Sequence, residues 1–338
     1  MKNIVVDLNV LARNMKKILV TGGAGFIGSH LTDKLMSRGD AVHVFDNFTT
    51  GTKENVKQWL SNVDFTLIED DLLSSSDLAK LRHENYDTIF HLAANPEVRV
   101  GSTNPNMHFQ QNVVATQNLL EYLRKAQDTP TLVFTSTSTV YGEPAIIPTP
   151  ENCSPLRPIS VYGATKLASE ALISGYAHTY GFKAVIYRLA NVIGPRSAHG
   201  VIYDFIQKLK KNSHELEVLG DGTQNKSYLY MSDCVEALIF GTEKSKRQLE
   251  VYNIGSEDQI NVKEIAQIVI KEMGLKNVKL TCTGGVDDGR GWKGDVKNML
   301  LDSSKLKSLG WKPKLNSRQA VEKTARELVK TAIRLASD

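Results

Sequence analysis

A short apolar run, Ile18-Leu19-Val20, leads through Thr21 into glycines at fixed spacing, Gly22, Gly25 and Gly28. Directly beyond the turn, Ile27, Leu31 and Leu35 recur at the spacing of one helix face. Few folds satisfy both halves of this pattern. A strand must turn sharply into a helix, and backbone must pass backbone where a Cβ would collide. The same turn leaves the first N–H groups of the helix unpaired, so they and the helix dipole favour a bound anion. This setting makes Gly22, Gly25, Phe26, Ile27 and Gly28 candidates to cradle the pyrophosphate of a dinucleotide. The plainer alternative is a tight turn with no ligand.

Strand-like and helix-like segments then alternate. Segments 41–45, 65–68, 88–92, 131–134 and 184–189 are rich in β-branched or aromatic residues and read as strands. Helical stretches fall near 77–83, 104–126 and 162–180. This order predicts an α/β chain with a Rossmann-type, doubly wound parallel sheet. After about Asn191 the rhythm changes: Gly, Pro and polar residues thicken, and helices are expected near 202–211, 233–244, 262–272 and 317–335. We expect an N-terminal appendage over 1–15, a nucleotide-binding domain over 16–190 and a smaller mixed C-terminal substrate lobe over 191–338. Some segments of that lobe are expected to return to the first domain.

Asp46 closes the second strand-like segment, eighteen residues past Gly28. A carboxylate there can accept from both ribose hydroxyls and would repel a 2′-phosphate, which favours NAD over NADP. A loop-capping Asp is the alternative. Asn47 follows it, and Asp71-Leu72 after the third strand is placed to face adenine. Leu92, Ala93 and Ala94 end the fourth strand with small residues, leaving room for a dinucleotide. His91 reads as a core histidine rather than a catalyst.

Tyr162 and Lys166 stand four residues apart, on one face of a predicted helix. An ammonium so placed can stabilise a phenolate, letting the phenol act as a base below its free pKa of roughly 10. Thr137 lies twenty-five residues upstream of Tyr162. With a nucleotide cradle in the same chain, the tyrosine can take a hydroxyl proton as a hydride leaves for nicotinamide.

At 338 residues and net charge +4, with no dominant basic block, the chain can bury a large core and gives no sign of binding nucleic acid. Cys153, Cys234 and Cys282 lack metal-ligand spacing, so no metal site is expected, and a reduced, cytoplasmic setting fits. No apolar run approaches the ~20 residues of a membrane span. Residues 1–14 carry Asp7 and Arg13 within a short apolar patch and lack the pattern of a signal peptide. Met15-Lys16-Lys17-Ile18 reads like a second start, so we expect a mis-called start or a short extra helix.

Together these residues resemble the extended short-chain dehydrogenase/reductase family. The matching motifs run in the family's order from Thr21–Gly28 through Asp46, Asp71-Leu72, 91–94, Asn112, Thr137 with Val140-Tyr141-Gly142, and Tyr162/Lys166 to 188–191. Further matches follow at 220–224, 252–255, 294–296 and 309–313. Within the family the chain is most similar to the nucleotide-sugar epimerases, such as the UDP-glucose 4-epimerases. The resemblance implies bound NAD and a nucleotide-diphosphate sugar, UDP-glucose or UDP-galactose first. It implies that Tyr162 deprotonates the sugar 4-hydroxyl, that Lys166 holds the nicotinamide ribose, and that Thr137 shares a hydrogen bond with the reacting hydroxyl. Asn112 would pack near the nicotinamide, and Ala190 and Asn191 would line the junction of cofactor and sugar.

Sugar 4,6-dehydratases carry Asp-Glu directly after the threonine, and nucleotide-sugar decarboxylases carry Glu in the second of those places. Here Ser138 and Thr139 stand there, and neither hydroxyl replaces a carboxylate near neutral pH. Dehydration and decarboxylation are therefore disfavoured, unless a carboxylate such as Glu97 arrives from elsewhere. The family's diphosphate-gripping Arg is Lys226 here, and a second Arg is replaced by Trp292, with Arg290 two residues earlier. We expect Lys226 and Arg290 to bind the diphosphate; Met299 leaves pocket width open. Aliphatic and small residues on more than one face of helices 104–126 and 162–180 predict a homodimer, as the family commonly forms. The rival readings are an NAD-sensing module without turnover and a sugar-nucleotide reductase.

Overall fold

The computed structural model of the protein describes residues 15–81, 84–126 and 129–337. The expected appendage, Met15 apart, lies outside the described residues. A seven-stranded, wholly parallel sheet organises the chain. Its first six strands are β1 (Lys17–Thr21), β2 (Ala41–Asp46), β3 (Phe65–Glu69), β4 (Thr88–His91), β5 (Thr131–Thr137) and β6 (Ala184–Leu189). The edge strand Leu249–Ile254 pairs with β6 in register from Leu249↔Ala184 to Ile254↔Leu189. The spatial order is Leu249–Ile254, β6, β5, β4, β1, β2, β3. The doubly wound parallel sheet expected from the alternation is present, and its direction of winding reverses between β1 and β4.

Strand alternation sorts side chains to two cores, one on each face of the sheet. Ile18, Val20, Val42, Val44, Val133, Val185 and Tyr187 face the helices Phe26–Ser37 and Met231–Lys244. Leu19, Phe45, Ile89, Leu132, Phe134 and Ile186 face the helices Ala115–Lys125 and Val161–Tyr180. Both faces are covered, so the strands read as nearly continuous apolar runs. Leu31 and Leu35, the helix stripe legible beside the glycines, are buried to 0% and 1% exposure. Each contributes ~1.5–3 kcal/mol by that burial.

Beyond β6 the chain builds a separate cluster of its own. The helices Val201–Lys211, Val262–Glu272 and Ser317–Ser337 pack around Phe205, Leu209, Ile265, Val269 and Val321. Short strands accompany them, with Asn191–Ile193 beside Tyr228–Tyr230, and Asn225–Lys226 beside Asn298–Met299. The edge strand Leu249–Ile254 and the helix Met231–Lys244 leave this cluster and join the main sheet.

The expected helix over 77–83 is shorter. An α-helix runs only from Ser75 to Ala79, and residues 82 and 83 lie outside the described residues. The expected helix over 104–126 is interrupted: Pro105–His108 and Ala115–Lys125 are α-helical, but Phe109–Val114 winds as a π-helix. The cause is the anchoring of Asn112. Its side chain accepts from Asn95 N–H and donates to Thr165 Oγ1, and its carbonyl accepts from the hydroxyls of Thr116 and Ser169. A widened turn frees that carbonyl for the neighbouring helix.

Candidate active site

The cofactor end of the site is shaped by the glycine turn. Gly22 sits at φ +70°, and a Cβ on it would lie 2.7 Å from the Ala93 nitrogen. A Cβ on Gly28 would lie 2.0 Å from the Gly22 carbonyl oxygen. Gly25 caps the helix Phe26–Ser37 without a side-chain hydrogen bond, and the first helical bond runs from Ser29 N–H to the Gly25 carbonyl. The preceding amides of Phe26, Ile27 and Gly28 therefore point an uncapped helix N-terminus at the cleft.

Asp46, at the end of β2, is 7% exposed. Its oxygens accept from Ala24 N–H at 2.9 Å and Phe48 N–H at 2.8 Å, which fixes the carboxylate beside the glycine turn. Burial raises its pKa, and these two hydrogen bonds oppose the rise. Asn47 donates to Asp71 at 3.1 Å, joining the two loops that flank the expected adenine position.

The reacting end depends on a second close approach. Ser160 caps the helix Val161–Tyr180 by accepting from Gly163 N–H at 3.1 Å. A Cβ on Gly163 would lie 2.8 Å from the Thr139 carbonyl, so glycine lets this helix settle against the turn Ser138–Tyr141. That docking brings Tyr162 to Thr137, which caps the same turn by accepting from Thr139 N–H at 3.2 Å. The Tyr162 ring also packs on His108, with ring centres 5.7 Å apart. Lys166 is 2% exposed, and its ammonium lies over the Phe134 ring at 4.0 Å.

The electrostatics of the pair differ from the sequence expectation. Burial pushes the Tyr162 phenol up to about 12, and only the contact with Thr137 pulls it back. Burial draws Lys166 down to about 7, with the field of Glu170 opposing. Desolvation thus outweighs mutual stabilisation, and the pair by itself is held toward its neutral forms. Between pH 7 and 10.5 the unfolded chain keeps a proton on Lys166 that the folded chain has shed. The stability of the NAD-free protein should therefore rise with pH across that window. Lys166→Met removes this contribution. Thermal melts should show the variant's advantage over wild type greatest near pH 7 and shrinking toward pH 10. A constant difference across the range would contradict the assignment.

His91 is the core residue the sequence suggested. It is 1% exposed, and its ring nitrogens lie 2.8 Å from Thr21 Oγ1 and 3.0 Å from Thr116 Oγ1. Burial, with Lys166 nearby, holds its pKa down to about 3, so it stays neutral.

One cleft of about 740 Å³ unites these parts. It opens along the C-terminal ends of β1, β2, β4, β5 and β6, where a sheet of this topology binds ligands. Gly22, Gly25, Phe26, Ile27, Gly28, Asp46, Asn47, Asp71, Leu72, Leu92, Ala93 and Ala94 line one part. Thr137, Tyr162, Lys166, Ala190, Asn191 and Lys226 line the rest. Two expected site residues are not in its walls. Asn112 is 2% exposed and lies behind Tyr162, bracing that helix through Thr165 and Ser169. Arg290 pairs with Glu143 at 2.5 Å and donates to the Asp295 carbonyl at 2.7 Å, which turns it away from the cleft. Arg99 and His199 stand in the walls instead. The sequence reading passed over both. Arg99 carries one usable clue, its place in the loop after β4, on the ligand-binding edge.

A profile of the NAD dependent epimerase/dehydratase family matches residues 18–255. The chain belongs to that family. Among solved structures it is similar to a UDP-galactose 4-epimerase, at 44% identity and TM-score 0.82, covering 93% of this chain and 99% of that one. It is also similar to a UDP-glucose 4-epimerase of Thermus thermophilus in complex with NAD, at 30% identity and TM-score 0.81, covering 94% and 99%. Among relatives, UDP-glucuronic acid decarboxylase 1 of Arabidopsis thaliana is 34% identical over 92% of this chain and 69% of its own length.

Membership in the epimerase/dehydratase family makes this an NAD-dependent enzyme of nucleotide-sugar chemistry. The collisions that any Cβ at Gly22 or Gly28 would cause, the uncapped helix and the fixed Asp46 all fit that cofactor. Among the described residues no helix is long and apolar enough to cross a membrane, and no cluster of His, Cys, Asp or Glu could hold a metal ion.

Proposed function

We propose that the enzyme inverts C4 of a UDP-hexose, with UDP-glucose and UDP-galactose as the first candidates, through a transient 4-keto sugar. NAD, when bound, would supply the hydride acceptor and donor. Tyr162 handles the proton. As the phenolate, its oxygen takes the proton of the sugar 4-hydroxyl, and the phenol so formed returns that proton when the hydroxyl re-forms. Thr137, within reach of the phenol, orients the reacting oxygen. Lys166 would hold the nicotinamide ribose, and in its protonated form it would stabilise the phenolate. Asn191 and Lys226 hold the sugar nucleotide.

The observation that carries this reading is the pair Ser138 and Thr139 in the cleft wall beside Thr137. A carboxylate at either place would favour elimination of water or loss of carbon dioxide. Glu97 also reaches the wall, but from the loop after β4 and not from the two places after Thr137, and Arg99 forks onto it and draws its pKa down. The likeness to the Arabidopsis decarboxylase makes decarboxylation of a UDP-hexuronate the second reading. Incubation with a panel of UDP-sugars separates the two. We expect UDP-glucose and UDP-galactose to interconvert with no change of mass and no net NADH. Release of carbon dioxide from UDP-glucuronate, or of water from a UDP-hexose, would overturn the epimerase reading. Net NADH would favour the reductase, and absence of turnover the sensing module.

We further propose that two copies pair through the helix Val161–Tyr180. Val161, Ala164, Ala168, Ala171 and Gly175 form an exposed row of small apolar residues along it, opposite the buried Ile173 and Ala177. Phe109, on the adjoining π-turn, is 50% exposed. Light scattering at micromolar concentration should give twice the chain mass for wild type, and Ala168→Glu should shift it to one. A wild-type mass near one chain would remove the dimer.

A further inference from the structure

Arg99, Trp292 and Lys226 come from three distant stretches of chain and meet in the wall of the cleft. The Arg99 guanidinium carbon lies 5.8 Å from the centre of the Trp292 ring, and the Lys226 ammonium lies 5.5 Å from it. One indole thus steadies two cations. Their carboxylate partners differ in kind. Lys226 sits 2.6 Å from Asp295, whose side chain is 2% exposed and whose other oxygen accepts from Gly291 N–H. That partner is fixed. Arg99 forks onto Glu97, two residues earlier, at 2.9 Å and 3.1 Å. Both side chains are well exposed, at 44% and 35%, and Asp204 stands 3.9 Å off as a weaker neighbour. An exposed pair of this kind contributes little to stability. A guanidinium fork fits two phosphate oxygens as well as it fits a carboxylate.

We propose that Arg99 is the diphosphate clamp of this enzyme: it leaves Glu97 and forks onto the nucleotide diphosphate, while Lys226 and Trp292 hold the other side. The Glu97 carboxylate stands where a phosphate belongs. This rests on the nucleotide-sugar reading above. It also accounts for Arg290, which is committed to Glu143 and the Asp295 carbonyl and is not needed for the anion.

UDP and UMP share base and ribose and differ in the second phosphate, so their relative affinity reads the clamp. Titration calorimetry would use the full-length, NAD-loaded protein. Wild type should bind UDP at least tenfold more tightly than UMP, about 1.4 kcal/mol. Arg99→Ala should remove most of that preference by weakening UDP about tenfold while leaving UMP unchanged, and Arg99→Lys should recover part of it. Glu97→Gln removes the competing carboxylate and should tighten UDP severalfold, a gain that misfolding cannot imitate. If Arg99→Ala keeps the wild-type preference, or weakens both nucleotides equally, or if Glu97→Gln weakens UDP, Arg99 is not the clamp. A wild-type protein with no preference for UDP over UMP would overturn the proposal and the diphosphate reading together.

Discussion

Tyr162→Phe should lower turnover of the UDP-hexose by ~10²–10⁴-fold while leaving NAD and UDP binding within a few fold of wild type. The substitution removes one oxygen. The ring stays packed on His108, and the helix stays capped by Ser160. Only the contact with Thr137 is lost, so stability should change by no more than ~1.5 kcal/mol. The loss should therefore appear in kcat rather than in KM or in the melting curve. Thr137→Val should act on the same step with a smaller loss, because it leaves the proton carrier in place. Combining the two should cost little more than Tyr162→Phe alone, since residues acting as one unit are not additive. Turnover by Tyr162→Phe at the wild-type rate would remove the tyrosine from the chemistry.

Gly28→Ala should abolish NAD retention. A methyl group at this position would meet the Gly22 carbonyl oxygen at 2.0 Å and the Gly23 Cα at 2.8 Å. Both neighbours are backbone and cannot rotate away as a side chain could. Relief requires moving the turn or the first turn of the helix, and either displaces the amides that face the pyrophosphate. Overpacking of this severity costs at least about 3 kcal/mol. The purified variant should carry no NAD, measured by release from denatured protein, and its melting temperature should no longer respond to added NAD. Gly25→Ala is the matched control. Its Cβ would come no closer than 3.2 Å to the Gly22 carbonyl, so a reduced but measurable NAD response is expected. Full NAD occupancy in Gly28→Ala would mean that the turn is not the cradle.

What the sequence made legible followed from local rules. The glycine turn, the alternation that builds the sheet, and the Tyr–Lys face are periodic patterns whose causes lie within a few residues. Long-range contacts were harder to read. The kink at Phe109–Val114 is set by Asn112 reaching Asn95 and Thr165, which no helical pattern reports. Arg290 looked available for an anion because its partner Glu143 lies far off in sequence. Arg99 was passed over because its stacking partner Trp292 is equally remote. For Tyr162 and Lys166 the spacing shows that the two share a face, but not that desolvation holds the pair toward its neutral forms in the NAD-free protein.

The edge strand Leu249–Ile254 also bears on how the chain comes into being. It covers the open side of β6, which precedes it by sixty-five residues in register at Leu249↔Ala184. During synthesis β6 emerges first and presents an unpaired edge, a template for pairing with other chains. That exposure lasts until residue 254 has left the ribosome, several seconds at ~5–20 residues per second. Cutting the chain after β6 would make the exposure permanent. A fragment ending near residue 190 would keep every glycine of the cradle and still be a poor nucleotide-binding protein, because its sheet would lack a side.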